Sequence, residues 1–215
     1  MNASELYNWI KQNFNKNDEL ISKLTRLHYD GILDENEYLE TLSGPIMSYF
    51  NNFELYIEKL FLGLITSEIG MASPIAVKFT LTGADKESDC RDILAGQSNY
   101  IAWMPYDGTL ALSKKVFAQD SPFVNLTQSD KDNLSKIYMA RNAIAHGSKY
   151  ALKKFFNKYS APIAYHNHHP TKFLLKIYDS NQQKNSINFI RDHLLMCALK
   201  LTSNPNNSLT NLIQA

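Results

Sequence analysis

Apolar side chains recur at intervals of three and four along most of the chain, the rhythm of helices that bury one face. Leu6, Trp9, Ile10 and Phe14 predict an amphipathic helix over 4–14, and Leu20, Ile21, Leu24 and Leu27 a second over 18–28. Asp30-Gly31 marks a turn. Asp34, with Glu37 three residues on, is a capping box that opens a helix over 35–43. Gly44-Pro45 should interrupt it, because proline suits the first turn of a helix and not its interior. From Pro45 the longest helical signal begins: Ile46, Phe50, Phe53, Ile57, Leu60, Phe61 and Leu64 hold the rhythm for about five turns.

The pattern is weaker over 70–125. Residues 75–81 read as a short strand or an extended loop, 89–94 and 109–117 as short helices, and 105–108 and 121–122 as turns. This stretch reads as an irregular insertion between two main helices. The second main helix starts near Ser129, with Leu134, Ile137, Tyr138, Ile144 and Ala145 as its apolar positions. Beyond it, lysine alternates with aromatics over 149–159. The region 162–178 reads as a loop or hairpin whose clearest strand is 172–178. A final helix is predicted over 187–201, with Phe189, Ile190, Leu194, Leu195 and Ala198 inward, before an Asn/Ser-rich tail expected to fray after 204. The expectation is a mainly α fold: one helical domain over 1–215, with a small β-hairpin near the C-terminus.

Composition narrows the class. With 44% hydrophobic and 12% aromatic residues, the chain can build a packed core. Cys90 and Cys197 are far apart and lack metal or redox spacing. No run has the length of a membrane span and the first residues lack the blocks of a signal peptide, so a cytoplasmic protein without membrane association is expected. The net charge of +1 hides an asymmetry. Residues 1–70 hold eleven acidic against five basic residues, whereas 131–176 hold nine basic residues against Asp132 alone. A basic block of that kind suits an anionic partner, although a solvated basic face is also common.

Within the basic block, 138–147 is where polar groups are arranged for chemistry. Arg141 falls within the apolar row of its helix, where a guanidinium needs a partner, and Glu54 on the long helix is a candidate for it. Glu58, one turn further along, reads as a solvated carboxylate. Asn142 and His146 are four apart and share a helix face, and Gly147 supplies a left-handed stop. RNA cleavage by attack of a 2′-hydroxyl needs a proton acceptor, a proton donor and positive charge beside the phosphate. Histidine can fill either proton role, and an arginine fork can hold two phosphate oxygens. One His146 cannot serve both sides of a phosphate, so the chemistry favours a homodimer with two copies facing each other.

Arg141-Asn142-x-x-x-His146, followed by glycine, resembles the Arg-x4–6-His signature of HEPN-domain proteins, and the stretch from Tyr49-Phe50 to Phe53-Glu54 is similar to the partner helix of such bundles. The resemblance covers chiefly 45–68 and 128–150. It implies an all-α bundle and a metal-independent endoribonuclease without cofactor, acting in phage defence or a toxin–antitoxin pair. Arg141 and His146 would be catalytic and Asn142 would position or polarise the site. Glu54 and Tyr138 are supporting candidates. Lys149, Lys153, Lys154 and Lys158, interleaved with Tyr150, Phe155, Phe156 and Tyr159, are candidates for the RNA backbone; an amphipathic helix with lysines on its wet side explains them equally well. The partners implied are RNA, a second copy and an antitoxin or defence-system component.

Other clusters carry less. His166, His168 and His169 lie in one loop without a matching cysteine or carboxylate set, so no metal is assigned there. His193 reads as structural or exposed, and His28 as a helix-end residue. No Gly-x-Ser-x-Gly elbow or His-Glu-x-x-His helix is present. Two alternatives stay open: a non-catalytic module of the same fold that binds RNA or a nucleotide or serves dimerisation, and a helical interaction protein in which the signature is chance.

Overall fold

Asn2 and Glu5 exchange two backbone-to-side-chain hydrogen bonds of 2.8 Å, a reciprocal cap that opens helix α1 (Ala3–Tyr29). The computed structural model describes residues 1–71, 75–78, 86–96, 101–118, 121–166, 168–179 and 184–203, and these are mainly helical. Two helices were expected where α1 runs unbroken. Its polar middle, Asn15-Lys16-Asn17, holds neither glycine nor proline, and Leu6, Ile10, Phe14 and Leu24 are all buried along its length.

The Asp34–Glu37 box forms as expected, with both bonds at 2.9 Å, and opens α2 (Glu35–Thr66). Contrary to expectation, α2 continues through Gly44-Pro45. Pro45 cannot donate to the Thr41 carbonyl, a loss worth about 3 kcal/mol in an ordinary helix interior. Thr41 is exposed, so water can reach that turn, while Leu42, Pro45 and Ile46 are buried together. Each fully buried Leu or Ile contributes roughly 1.5–3 kcal/mol, enough to offset the missing bond.

Contacts divide the chain into two compact units, each assembled from separate segments. The first unit takes residues 1–10 and 54–131, with the chain from Met196 onward. Its core centres on Phe61, whose ring lies 5.1 Å from Trp103, 5.2 Å from Phe117 and 5.0 Å from Phe123. It includes α3 (Lys86–Ala95), which covers the short helix expected over 89–94, and α4 (Tyr106–Val116), which begins within the turn expected at 105–108 and ends one residue short of the helix expected over 109–117. Of the stretch 75–81, read as a short strand or an extended loop, Val77 forms an isolated antiparallel bridge with Phe117, and 79–81 lie outside the described residues. Polar atoms brought into this core find partners: Tyr56 donates to the Ala198 carbonyl at 2.8 Å and Tyr106 to that of Phe123 at 2.7 Å. Gly63 is required by packing, because a Cβ there would lie 2.5 Å from Ile69 Cγ1. Glu58 is not a solvated carboxylate; it is half-buried and accepts from Arg91, which also donates to Glu87 at 2.8 Å. Cys90 and Cys197 are both buried; burial pushes the Cys90 thiol up to about 11, as expected of an unreactive core cysteine.

The second unit takes residues 11–53 and 132–195. Phe14 meets Tyr49 edge-on at 4.8 Å, and Phe155, Phe156 and Tyr159 gather around Phe173. The strand expected over 172–178 is a correction. Pro170 begins a short helix, α7 (Pro170–Leu174), with His169 capping it by accepting from the Thr171 N–H at 3.3 Å. Only β1 (Ile177–Asp179) is extended, pairing antiparallel with β2 (Lys184–Asn185), so the hairpin lies later than expected. Helix α8 (Ser186–Leu201) then closes the chain's described part; its buried row is Ile187, Ile190, Leu194, Cys197, Ala198 and Leu201, with the expected Phe189 only half-buried. The expected fraying tail after 204 lies outside the described residues.

Helix α5 (Gln128–His146) begins in the first unit with another reciprocal cap. The Thr127 N–H donates to Asp130 at 2.8 Å, and the Asp130 N–H donates to the Thr127 hydroxyl at 3.2 Å. Lys200 donates to the same carboxylate at 2.7 Å. Burial alone would raise the Asp130 carboxyl, but Lys200 and Thr127 outweigh it and hold the group below its ordinary value. Because the folded state binds this proton less readily than the unfolded state, the stabilisation is complete above the unfolded value, about pH 4, and disappears as pH falls through the folded value. Asp130→Asn should therefore lower unfolding free energy by about 2 kcal/mol at pH 7. In urea titrations from pH 7 to 3, the gap between wild type and variant should stay constant to about pH 5 and narrow below about 4; a gap that stays constant to pH 3 would contradict the assignment.

Candidate functional site

The buried row of α5 is Leu134, Ile137, Ala140 and Ala143. Of the apolar positions expected there, Tyr138 and Ile144 are half-buried and Ala145 is exposed, because the row follows a three-residue step that carries it past them. Small alanines at 140 and 143 leave room beside the row, where Arg141 lies half-buried. Its Nη1 donates to Asn142 Oδ1 at 3.2 Å, while its Nε is buried with no hydrogen-bond partner. The bonded partner of Arg141 is thus its own neighbour. Glu54, expected in that role, is half-buried on α2 in the other unit.

His146 is the last residue of α5 and is exposed. Gly147 follows with φ of +55°, a conformation that glycine adopts without the strain a Cβ brings, and its N–H closes the helix on the Ala143 carbonyl at 3.0 Å. The chain reverses at once into α6 (Lys149–Lys158), capped by Ser148 Oγ accepting from the Ala151 N–H at 3.2 Å.

The C-terminal end of α5 and the first turns of α6 enclose a recess of about 310 Å³. Tyr138, Met139, Arg141, Asn142 and His146 line it from α5; Ser148, Tyr150, Ala151 and Lys154 line it from the α6 side. The charged groups are all basic, and no carboxylate is among the lining residues. The positive pole of α6 opens at the same place. Arg141 and Lys154 in the lining, with no carboxylate beside them, suit an anion with several oxygens. In volume the recess matches the lower end of small-ligand sites, about 300–1,000 Å³.

The structure thus brings together six of the residues singled out from sequence: Tyr138, Arg141, Asn142, His146, Tyr150 and Lys154. Lys149, Lys153 and Lys158 are exposed on α6 but do not line the recess. Phe155 and Phe156, expected among the nucleic-acid contacts, are core residues. Of the aromatics named over 149–159, it is Tyr150 that lines the recess, on the lysine side of α6 and away from the buried pair.

The three loop histidines have separate surroundings. His166 stacks on Phe156 at 4.9 Å and its Nε2 lies 3.1 Å from the Ala161 carbonyl. His169 caps α7, and burial lowers its pKa. His168 is exposed. His28 ends α1 stacked on Tyr38 at 4.5 Å, with Nδ1 3.0 Å from the Leu33 carbonyl.

A larger cavity of about 560 Å³ in the same unit escaped the sequence patterns. Asp18, Tyr49, Arg191, Asp192 and Lys184 line it. Arg191 donates to Asp18 at 2.9 Å and to Asp192 at 2.8 Å, Lys184 approaches Asp192 at 3.3 Å, and Tyr49 donates to Asp18. Burial, reinforced by Asp18, raises the Tyr49 phenol far above its ordinary value. These residues come from three helices and a strand, so no local spacing announced them, and their charges largely satisfy one another.

No described helix is long and apolar enough to cross a membrane. No family model, curated protein or solved structure matches the chain.

An orphaned buried donor destabilises a fold by roughly 1–3 kcal/mol. Arg141→Met, which fills similar volume without the donor, should therefore leave the melting temperature unchanged or raise it by a few degrees. A fall in unfolding free energy of more than about 2 kcal/mol in urea titration would show that Arg141 is a structural ion pair instead.

Proposed function

We propose that the chain is an endoribonuclease of the HEPN type, cleaving RNA at a composite site in a homodimer and serving phage defence or a toxin–antitoxin pair. The observation that carries this reading is the recess in which Arg141, Asn142 and His146 meet, with the Arg141 Nε buried and unpartnered. The mainly helical character of the described residues is in keeping with such a bundle.

In this scheme Arg141, which lines the recess, holds non-bridging oxygens of the scissile phosphate through its guanidinium N–H groups. Asn142 holds the guanidinium through the bond to its Nη1, fixing the fork before substrate arrives. The 2′-hydroxyl oxygen attacks phosphorus, the bond to the 5′-oxygen breaks, and a 2′,3′-cyclic phosphate and a 5′-hydroxyl result. One proton leaves the 2′-hydroxyl and another must reach the 5′-oxygen. His146 of one copy accepts the first and His146 of the other donates the second, since each recess holds a single histidine. His146 is exposed, as a group shared between two copies must be before they meet.

His146→Ala should reduce cleavage of a mixed-sequence RNA at least about a hundredfold, the usual contribution of a positioned proton-transfer group. Wild-type cleavage should persist in EDTA and leave 2′,3′-cyclic phosphate ends, read by end-labelling and mass spectrometry. Undiminished cleavage by the variant would falsify the assignment. The runner-up, a module that binds RNA without cutting it, draws on the same single histidine per recess: the wild type would then bind RNA with no turnover, and His146→Ala would bind nearly as well.

A further inference from the structure

Of the four aromatic residues in 149–159, three are spent on packing. Phe155 and Phe156 are buried, and Tyr159 packs on Phe155 at 4.8 Å and on Phe173 at 5.9 Å, with its hydroxyl buried. Tyr150 differs, with 69% of its surface exposed. It is the second residue of α6, fixed in the first turn by the Ser148 cap, and it lines the recess beside Arg141 and His146. The Lys154 ammonium lies 4.4 Å from its ring centroid. That contact occupies part of the ring and steadies its orientation, and the remaining exposure leaves a flat aromatic surface at the mouth of a basic recess.

Resting on the ribonuclease reading above, we infer that Tyr150 is a stacking platform for an unpaired base next to the phosphate held by Arg141, so that the substrate is single-stranded or looped RNA. A paired base inside a duplex has both faces covered by its neighbours and cannot lie on a side-chain ring; an unstacked base can. A recess of about 310 Å³ accommodates one nucleotide and not a duplex. Lys154 fits the arrangement, since a cation beside the ring also neutralises a flanking phosphate. Stacking of this kind tolerates any base, so the platform selects strandedness and not sequence.

The test uses the full chain and a fluorescein-labelled 2′-O-methyl oligoribonucleotide, which cannot undergo 2′ attack, either single-stranded or annealed to its complement. Fluorescence anisotropy should show that Tyr150→Leu weakens single-strand binding about tenfold or more, while Tyr150→Trp stays within about twofold of wild type. Duplex binding should be weaker and insensitive to the leucine change. Equal single-strand affinity of wild type and Tyr150→Leu overturns the platform, as does an equal loss on single strand and duplex. Turnover separates the two readings. Tyr150-dependent binding by a wild type that cuts no RNA supports the platform and removes only the nuclease. Cleavage by Tyr150→Leu with unchanged KM removes only the platform, because a uniform binding contact should raise KM and spare kcat.

Discussion

Between residues 46 and 66, the exposed positions of α2 are Asn51, Leu55 and Lys59, a single row at four-residue spacing. A helix so nearly apolar all round is stable only when other elements surround it. Through Phe53 it furnishes the core of one unit, and from Glu54 the core of the other. Its tyrosines make further demands, because a buried phenol needs an acceptor. Tyr49 requires Asp18 from α1, and Tyr56 requires the Ala198 carbonyl from α8. The burial of α2 thus sets where parts of the first and last helices must lie within each unit.

The same helix shows why local rules misjudged some boundaries. Pro45 and the polar 15–17 stretch read as breaks because propensity is local, whereas the burial that overrides it comes from residues distant in sequence. The box at Asp34–Glu37 was legible because both partners lie within one turn. The equivalent box at Thr127 and Asp130 is equally local but stands a full turn ahead of Leu134, the first apolar residue of its helix row. The region 172–178 failed for a different reason: its alternation suits a strand, but Pro170 and the His169 cap start a helix first. The cavity around Asp18 and Arg191, 173 residues apart, could not be read from spacing at all.

At the recess, sequence patterns reached further than they did for the fold. A charged residue beside an apolar row, followed by an amide and a histidine one turn later, points to one place because helical periodicity does the positioning. What the pattern could not give is the state of the guanidinium. Glu54 was the electrostatically natural partner, yet the bonded partner is Asn142, and one donor is left over. Such an arrangement sacrifices stability, because a buried donor without an acceptor is costly.

Every residue lining that recess falls within 138–154 of the chain. Its contacts are therefore short in sequence, and the site can assemble as soon as two neighbouring helices and the reversal at Gly147 have formed, ahead of slower long-range pairings. It also means that the lining is inherited as one uninterrupted segment. Recombination or drift elsewhere in the chain can remodel the surroundings while passing the recess on intact, and a single change at Gly147, with its φ of +55°, can dismantle it.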